Sequence, residues 1–297
     1  MTNRTTAGTS AALLGAACVL CAAMLWGTTG TLQAILPENR DPLAVAWFRI
    51  GIGAATLTAL CLCVPTTRRA LRRLPMPLVA LAGTAIAAYN FLFFSGVLLA
   101  GVGVGTAIAI GSAPIWVSLY EWLVRKQAPS RLSLIGQAIC IVGAVALVAS
   151  NQAASNPLAG YLLTALAGIA YATYSVATHK IGPGQPFGAV AAATFAFAAI
   201  LMAPVLVAAD LSWMDTGSIP SILFLGVVVT GLSYYLYTYG VSRMPASTAV
   251  TLALAEPLTA WVLATLVVGE ALTPLKAAGA AIVLFGLFLV TRSIASR

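Results

Sequence analysis

Ten apolar runs fill this chain almost end to end, at about 11–36, 42–64, 77–99, 103–124, 131–150, 157–179, 187–208, 218–241, 246–268 and 274–292. Their length of roughly twenty residues is what an α-helix needs to cross the hydrocarbon core of a bilayer. Hydrophobic residues make up 61% of the 297 and charged residues 7%, against about 25% charged in an ordinary soluble domain. No aqueous fold hides that much apolar surface, so the solvent is lipid. The runs are continuously apolar rather than alternating, which argues against a β-barrel. In hydrocarbon each backbone group must find its partner inside the segment, so the runs read as helices. The expected fold class is an all-α membrane protein of ten transmembrane helices, with no room for a soluble domain.

The first run is read as a retained helix rather than a signal peptide. Its polar lead, Met1 to Ser10, holds only Arg4 as a charge. No small-x-small cleavage site is followed by mature soluble sequence, and the run exceeds a typical signal core.

Topology follows from Lys and Arg. With the N-terminus in the cytoplasm, twelve of the fifteen fall on inner loops and ends: Arg4, Arg68, Arg69, Arg72, Arg73, Arg125, Lys126, Arg131, Lys180, Arg243, Arg292 and Arg297. Only Arg40 and Lys276 fall outside, and Arg49 lies within a span. This is a strong positive-inside asymmetry, and it requires an even number of spans. The net charge of +8 is therefore topology rather than a nucleic-acid surface, with anionic lipid as the expected neighbour of the Arg68–Arg73 loop.

The second half repeats the first. Aligning residue n with n+143 sets Pro114 on Pro257, Leu123 on Leu266, Ala128 on Ala271, Gly136 on Gly279 and Gly143 on Gly286. Small slips extend the register, so that Pro42 meets Pro186 and Trp26 meets Tyr171. Ten spans with both ends inside divide into five and five, and an odd number per copy inverts the second. The expected organisation is two inverted five-helix repeats, 1–150 and 151–297, with cytoplasmic N- and C-termini. The seam is the polar stretch Ser150–Pro157. Secondary transporters use this arrangement and place the substrate site where the copies meet.

Catalysis has little to work with. His179, the single histidine, stands beside Lys180 at the inner end of span six, where a solvated residue is expected. Ser112 in "GSAP" has no His or Lys at its depth to activate it. Cys18 and Cys21 have C-x-x-C spacing but lie on a lipid-embedded helix without further ligands, so no metal, cofactor or disulfide is expected.

The informative residues are those that lipid should not tolerate. Ionisable groups within a span are costly and mark pathways. Glu256 is mid-way along span nine, next to Pro257; it faces a cavity or forms a structural pair with Arg49. Arg49, in the outer part of span two, is a possible charge partner, or snorkels outward towards Glu38 or Asp41. Glu121 is expected to pair with Arg125 one turn on, at the inner interface. Pro114 and Pro257 occupy matched places in spans four and nine. Each removes a hydrogen bond and bends its helix, exposing carbonyls near Ile110 and Ala253, so they are candidate hinges.

Aromatic residues gather on spans six and eight. Tyr234 and Tyr237 share one face of span eight, Tyr235 and Tyr239 another; the first pair is expected inward. Tyr171, Tyr174 and Thr178 form a stripe on span six. Tyr89 and Asn90 on span three and Trp26 on span one complete the candidate lining. Trp47, Trp116, Trp122 and Trp213 are expected in the interfacial belts. Such a pocket suits an amphipathic molecule such as an amino acid with an apolar side chain. It suits a sugar phosphate poorly, because no buried Lys or Arg cluster is available to hold phosphate. Gly136, Gly143, Gly279 and Gly286 permit close helix approach, and spans five and ten are expected to buttress each half or contact lipid.

"AMLWGTTG" (Ala23–Gly30), "LALAEPLTAWVLATLVVGEALT" (Leu252–Thr273) and "AAGAAIVLFGLFLV" (Ala277–Val290) carry a resemblance to the drug/metabolite transporter superfamily, specifically its ten-helix EamA-type exporters. Length, aromatic content and the basic loop after span two look most like the YddG-type amino-acid exporters. The first copy departs from the motif, with Ala113 and Gln127 where the second has Glu256 and Glu270. The resemblance implies export of small metabolites across a bacterial inner membrane by alternating access, through a cavity formed mainly by helices one to four and six to nine. Ten helices can enclose a cavity unaided, so a monomer is expected. Proton antiport, facilitated diffusion and export of cationic drugs all stay open, as does the less favoured class of a non-transporting receptor or channel.

Overall fold

The computed structural model describes residues 2–148 and 155–295, with side chains from residue 10 onward. Among these described residues the structure is all-helical, and ten helices are long and apolar enough to cross a membrane. Span one is Ser10–Ile35, span two Pro42–Cys63, span three Met76–Ala100, span four Val102–Leu123 and span five Arg131–Val148. Span six is Pro157–Ile181, span seven Phe187–Ala208, span eight Ser218–Val241, span nine Ala246–Val268 and span ten Pro274–Ala295. These ends lie within a few residues of those read from hydropathy. Most of the seam lies outside the described residues. Beyond it, Asn156 caps span six by accepting the Ala159 N–H, and its own N–H donates to the Leu99 carbonyl at 3.2 Å.

Helix starts are set by short-range chemistry. The Asp41 carboxylate accepts the N–H groups of Leu43 and Ala44, and Pro42 opens span two in the first turn, where its missing N–H costs nothing. Spans three and four are joined through Gly101 alone, whose φ of 82° suits a residue without a Cβ. The outer surface is apolar: Leu62, Leu98, Val142, Leu162, Ile200 and Phe285 are all exposed, as lipid-facing side chains should be.

Helix neighbours map onto themselves when span k is exchanged for span k+5. Span three packs on six as eight packs on one, and four packs on six as nine packs on one. Two packs on seven, four on nine and five on ten. Spans five and ten, expected to buttress each half or contact lipid, do expose apolar side chains such as Val142 and Phe285, but they also have a large common seam. They pack on each other and join the two halves. A Cβ on Gly143 would stand 2.7 Å from the Val283 nitrogen, and one on Gly279 would stand 3.0 Å from the Gly143 carbonyl. Gly136 and Gly286 make the same close approach, and the Cys140 thiol points at the Val283 carbonyl. Small residues that bring backbones into contact are the usual means of helix association in lipid.

Among the described residues four spans are interrupted. Span one breaks at Thr28, between helices Thr2–Gly27 and Thr29–Ile35. Span seven breaks at Ala203–Pro204, between helices Phe187–Met202 and Val205–Ala208. Span eight carries a π-helical turn over Val227–Leu232. Span nine breaks at Ala253–Leu254 between helices Ala246–Leu252 and Ala255–Leu263, then ends in a π turn over Ala264–Val268. Wide turns of this kind gather at functional sites. Span four, by contrast, runs as one helix through Pro114.

Candidate functional site

The breaks of spans one and nine meet around one cavity of about 340 Å³, and span eight adds Tyr234 just past its π turn; the volume is within the roughly 300–1,000 Å³ of small-molecule sites. Gly27 allows the meeting of spans one and nine. A Cβ there would lie 2.6 Å from the Thr259 Cβ and 2.7 Å from the Glu256 carbonyl oxygen. The break in span nine turns Glu256 into the cavity. The carbonyl of Ala253, expected to be freed by Pro257, instead accepts the Glu256 N–H at 3.0 Å. Pro257 lines the cavity; Pro114 does not.

Aromatic rings form the wall. Trp26 stands 4.8 Å from Tyr234, centroid to centroid, and Tyr89 stands 5.3 Å from Tyr171. Trp26, Tyr89, Asn90, Tyr171, Tyr234 and Glu256 all line the cavity. Tyr174 and Tyr237 do not: they form a second layer, fully packed, with Tyr237 5.3 Å from Trp26 and its hydroxyl 2.8 Å from that of Ser175. They share the inward face with the lining tyrosines but stand one turn nearer the closed end. Tyr235 and Tyr239 lie on the opposite face, against Phe187.

Arg49 is buried rather than snorkelling, and it lines the same cavity. The π turn of span eight holds it. In that turn the Thr230 hydroxyl donates to the Leu225 carbonyl, five residues back, at 2.9 Å, and its oxygen accepts Arg49 Nε at 3.4 Å. The guanidinium lies 6.0 Å from the Phe94 ring. Asp41 is occupied as a helix cap and does not pair with it. Nor does Glu256: among the described residues the only ion pair within 4.0 Å is Lys276–Glu270, at 2.9 Å. Asn90 donates its amide to the Ile86 carbonyl at 2.9 Å, which leaves its side-chain oxygen for the cavity.

The open end of the cavity carries Gln33, Gly103, Val148, Glu270 and Lys276. The other end is closed by packed polar contacts. There Glu121 is buried, not paired with Arg125, and it accepts both the N–H and the hydroxyl of Ser247. His179 is half-buried rather than solvated, its Nδ1 2.8 Å from the Val241 carbonyl.

Span seven contributes no lining residue. Its Phe195 stands behind the wall, 4.4 Å from Tyr234, while the ends of spans five and ten reach the mouth. Trp213, expected at the interface, is buried. Trp47 is half-buried, with its indole N–H donating to the Ala199 carbonyl at 3.2 Å. Trp116 and Trp122 remain exposed. Sequence reasoning missed Phe93, Phe94 and Trp261 of the lining. Trp261 carried a signal, one turn beyond Pro257 on the helix that bears Glu256.

A ten-span helical membrane protein enclosing a ring-lined chamber is built to pass small molecules, and this defines a transporter. The profile of the EamA-like transporter family matches residues 13–149 and again 158–292. The chain belongs to that family, whose members are transporters and not enzymes. It is 38% identical to the Uncharacterized transporter YwfM of Bacillus subtilis over 275 residues, which cover 92% of each chain. It is 25% identical to the Threonine/homoserine exporter RhtA of Escherichia coli, over 86% of this chain and 83% of the relative. It is also 25% identical to a probable amino-acid metabolite efflux pump of Salmonella typhimurium, over 73% of this chain and 77% of that one. A solved crystal structure shares the fold, with a TM-score of 0.82, 22% identity and coverage of 95% and 97%.

Proposed function

We propose that the protein exports amino acids with apolar or aromatic side chains, and related small metabolites, from the bacterial cytoplasm by alternating access. The observation that carries this reading is the chamber itself: a wall of Trp26, Tyr89, Phe94, Tyr171 and Tyr234 interrupted by a few polar groups. Rings supply large contact area for an apolar side chain, and the isolated polar groups orient it. The names of the Escherichia coli and Salmonella relatives support the substrate class.

The two stretches matched by the family profile and the neighbour exchange between spans k and k+5 support two inverted five-helix repeats, 1–150 and 151–297. With the basic loops placed in the cytoplasm, the mouth at Gln33 and Lys276 faces outward and the Glu121–Ser247 end faces inward. Span nine, broken beside Pro257, would flex with its partner span four at Pro114 as access alternates. One copy of the chain encloses the chamber, so a monomer suffices. Efflux from liposomes preloaded with a panel of labelled amino acids tests the reading. Saturable, stereoselective efflux of the aromatic and large aliphatic members is expected; failure of every amino acid to leave would refute it.

A second reading has its own observation. Glu256 within a ring-lined chamber suits an organic cation through charge and cation–π contacts, with proton exchange at Glu256 as the drive. Competition between phenylalanine and a quaternary amine separates the readings. Retention of pH-dependent transport in Glu256→Gln would remove Glu256 as the proton carrier.

A further inference from the structure

The chamber holds two opposite charges that do not meet. Arg49 of span two and Glu256 of span nine line the same cavity, yet no ion pair within 4.0 Å joins them. Arg49 spends Nε on Thr230 and leaves the outer fork of its guanidinium without a carboxylate. No donor among the described residues reaches the Glu256 carboxylate, although its backbone N–H is satisfied by Ala253. Each group is set by an irregular turn: Arg49 of span two by the π turn of span eight, through Thr230, and Glu256 by the break in its own span nine.

An ion in a membrane interior without a partner is costly. Direct pairing would remove that cost, and the geometry withholds it. A ligand of one charge would satisfy one group and strand the other. An organic cation answers Glu256 and leaves Arg49; an organic anion does the reverse. A ligand carrying both charges a short distance apart answers both. The planar fork of Arg49 matches a carboxylate in a bidentate manner, and an ammonium donates to Glu256. The Asn90 side-chain oxygen, on the same wall, offers the ammonium a second acceptor.

We propose that the chamber binds the amino-acid zwitterion in one fixed polarity, with the α-carboxylate on Arg49, the α-ammonium on Glu256 and the side chain against the rings of Trp26, Tyr89 and Tyr234. This rests on the amino-acid reading above and adds the two residues that distinguish an intact amino acid from its one-charge analogues. It also accounts for the uneven copies. Only span nine carries the glutamate, and its counterpart in span four is Ala113, because a single zwitterion needs one anionic pole rather than two.

The test uses the full-length protein, purified and reconstituted. Three ligands share one ring: L-phenylalanine, phenylalaninamide, which lacks the carboxylate, and 3-phenylpropanoate, which lacks the ammonium. Each competes against labelled phenylalanine, and direct binding is followed by tryptophan fluorescence, which does not require turnover. The wild-type protein is expected to prefer phenylalanine over each analogue by about tenfold or more, the lower end for one hydrogen bond to a charged group. Arg49→Gln should abolish the preference over the amide and keep that over 3-phenylpropanoate; Glu256→Gln should do the opposite. Arg49→Lys should restore part of the first preference.

Equal affinity of the wild-type protein for all three ligands overturns the polarity, whatever the variants do. Equal weakening of phenylalanine and its amide by Arg49→Gln overturns the role of Arg49. Phenylalanine that binds without discrimination sinks this assignment alone. If neither phenylalanine nor any other amino acid binds, the amino-acid reading fails, and the assignment with it.

Discussion

The Glu121 carboxylate of span four accepts the backbone N–H of Ser247 at 3.2 Å and its hydroxyl as well, across 126 residues of chain. Both residues are buried, and the contact lies at the end of the bundle away from the chamber mouth. A carboxylate so bonded ties spans four and nine together at the closed end, which in the proposed orientation is where the path to the cytoplasm would open. Hydrogen bonds to charged groups contribute about 1.5–3 kcal/mol. Ser247→Ala should therefore destabilise the purified protein by roughly that amount in thermal denaturation. It should also raise the labelling of cysteines placed at the inner end. Unchanged stability and labelling would show that this contact does not hold the inner end shut.

The seam between spans five and ten makes a sharper packing prediction. Gly143→Ala would drive a Cβ to 2.7 Å from the Val283 nitrogen, which belongs to backbone and cannot step aside. Overpacking of this kind costs about 1–3 kcal/mol. Gly111 is the control, since a Cβ there meets only Ile141 Cγ2 at 3.7 Å. Gly111→Ala should be neutral or gain about 0.5–1 kcal/mol from reduced backbone entropy. Melting temperatures in detergent compare the two directly.

Tyr234 and Tyr235 are sequence neighbours on opposite faces. Tyr234 lines the chamber; Tyr235 packs on Phe187. Tyr234→Ala should raise KM for an aromatic amino acid about three- to tenfold, since ring contacts contribute about 0.5–1.5 kcal/mol. Tyr235→Ala should leave KM within error. Equal effects from the two changes would count against this wall as the substrate surface.

In the loop between spans seven and eight, Asp215 accepts the Ser218 hydroxyl at 2.6 Å and the Ser218 N–H at 2.8 Å. These bonds, the hydroxyl first, hold its carboxyl below the usual carboxylate range. A depressed folded value means the contribution is complete above the ordinary aspartate value of about 3.9 and is lost as pH falls through the folded one. The protection of the Ser218 amide, the slowing of its exchange relative to the intrinsic rate at the same pH, should thus be largest near neutrality and fall only below about pH 4. Asp215→Ala should remove this pH-dependent part of the protection, leaving only what the bond from the Ser218 N–H to the backbone carbonyl of residue 215 provides.

Much of this was legible in the residues. Span ends follow from hydropathy because lipid enforces continuous helices. The chamber lining of Trp26, Tyr89, Asn90, Tyr171, Tyr234 and Glu256 followed from asking which side chains lipid would reject. What escaped is of two kinds. Helical spacing tells face but not depth, so Tyr174 and Tyr237 read as lining although they stand a layer behind. Long-range partners leave no local mark. Glu121 has Arg125 at i+4 and Ser247 far along the chain, and the distant residue takes it. The glycines of spans five and ten announced a close approach without naming which helix approaches. The π turn that holds Arg49 arises in an apolar stretch, Val227–Leu232, with no Pro to signal it.

The central claim is a water-filled, outward-facing chamber that binds amino acids. Ala260 lines it on the helix that bears Glu256. A single cysteine at that position, with the native cysteines replaced, should react with a membrane-impermeant maleimide applied from outside. An aromatic amino acid should slow that reaction in a saturable manner. Labelling only from the cytoplasmic side, or labelling that no amino acid slows, would contradict the account.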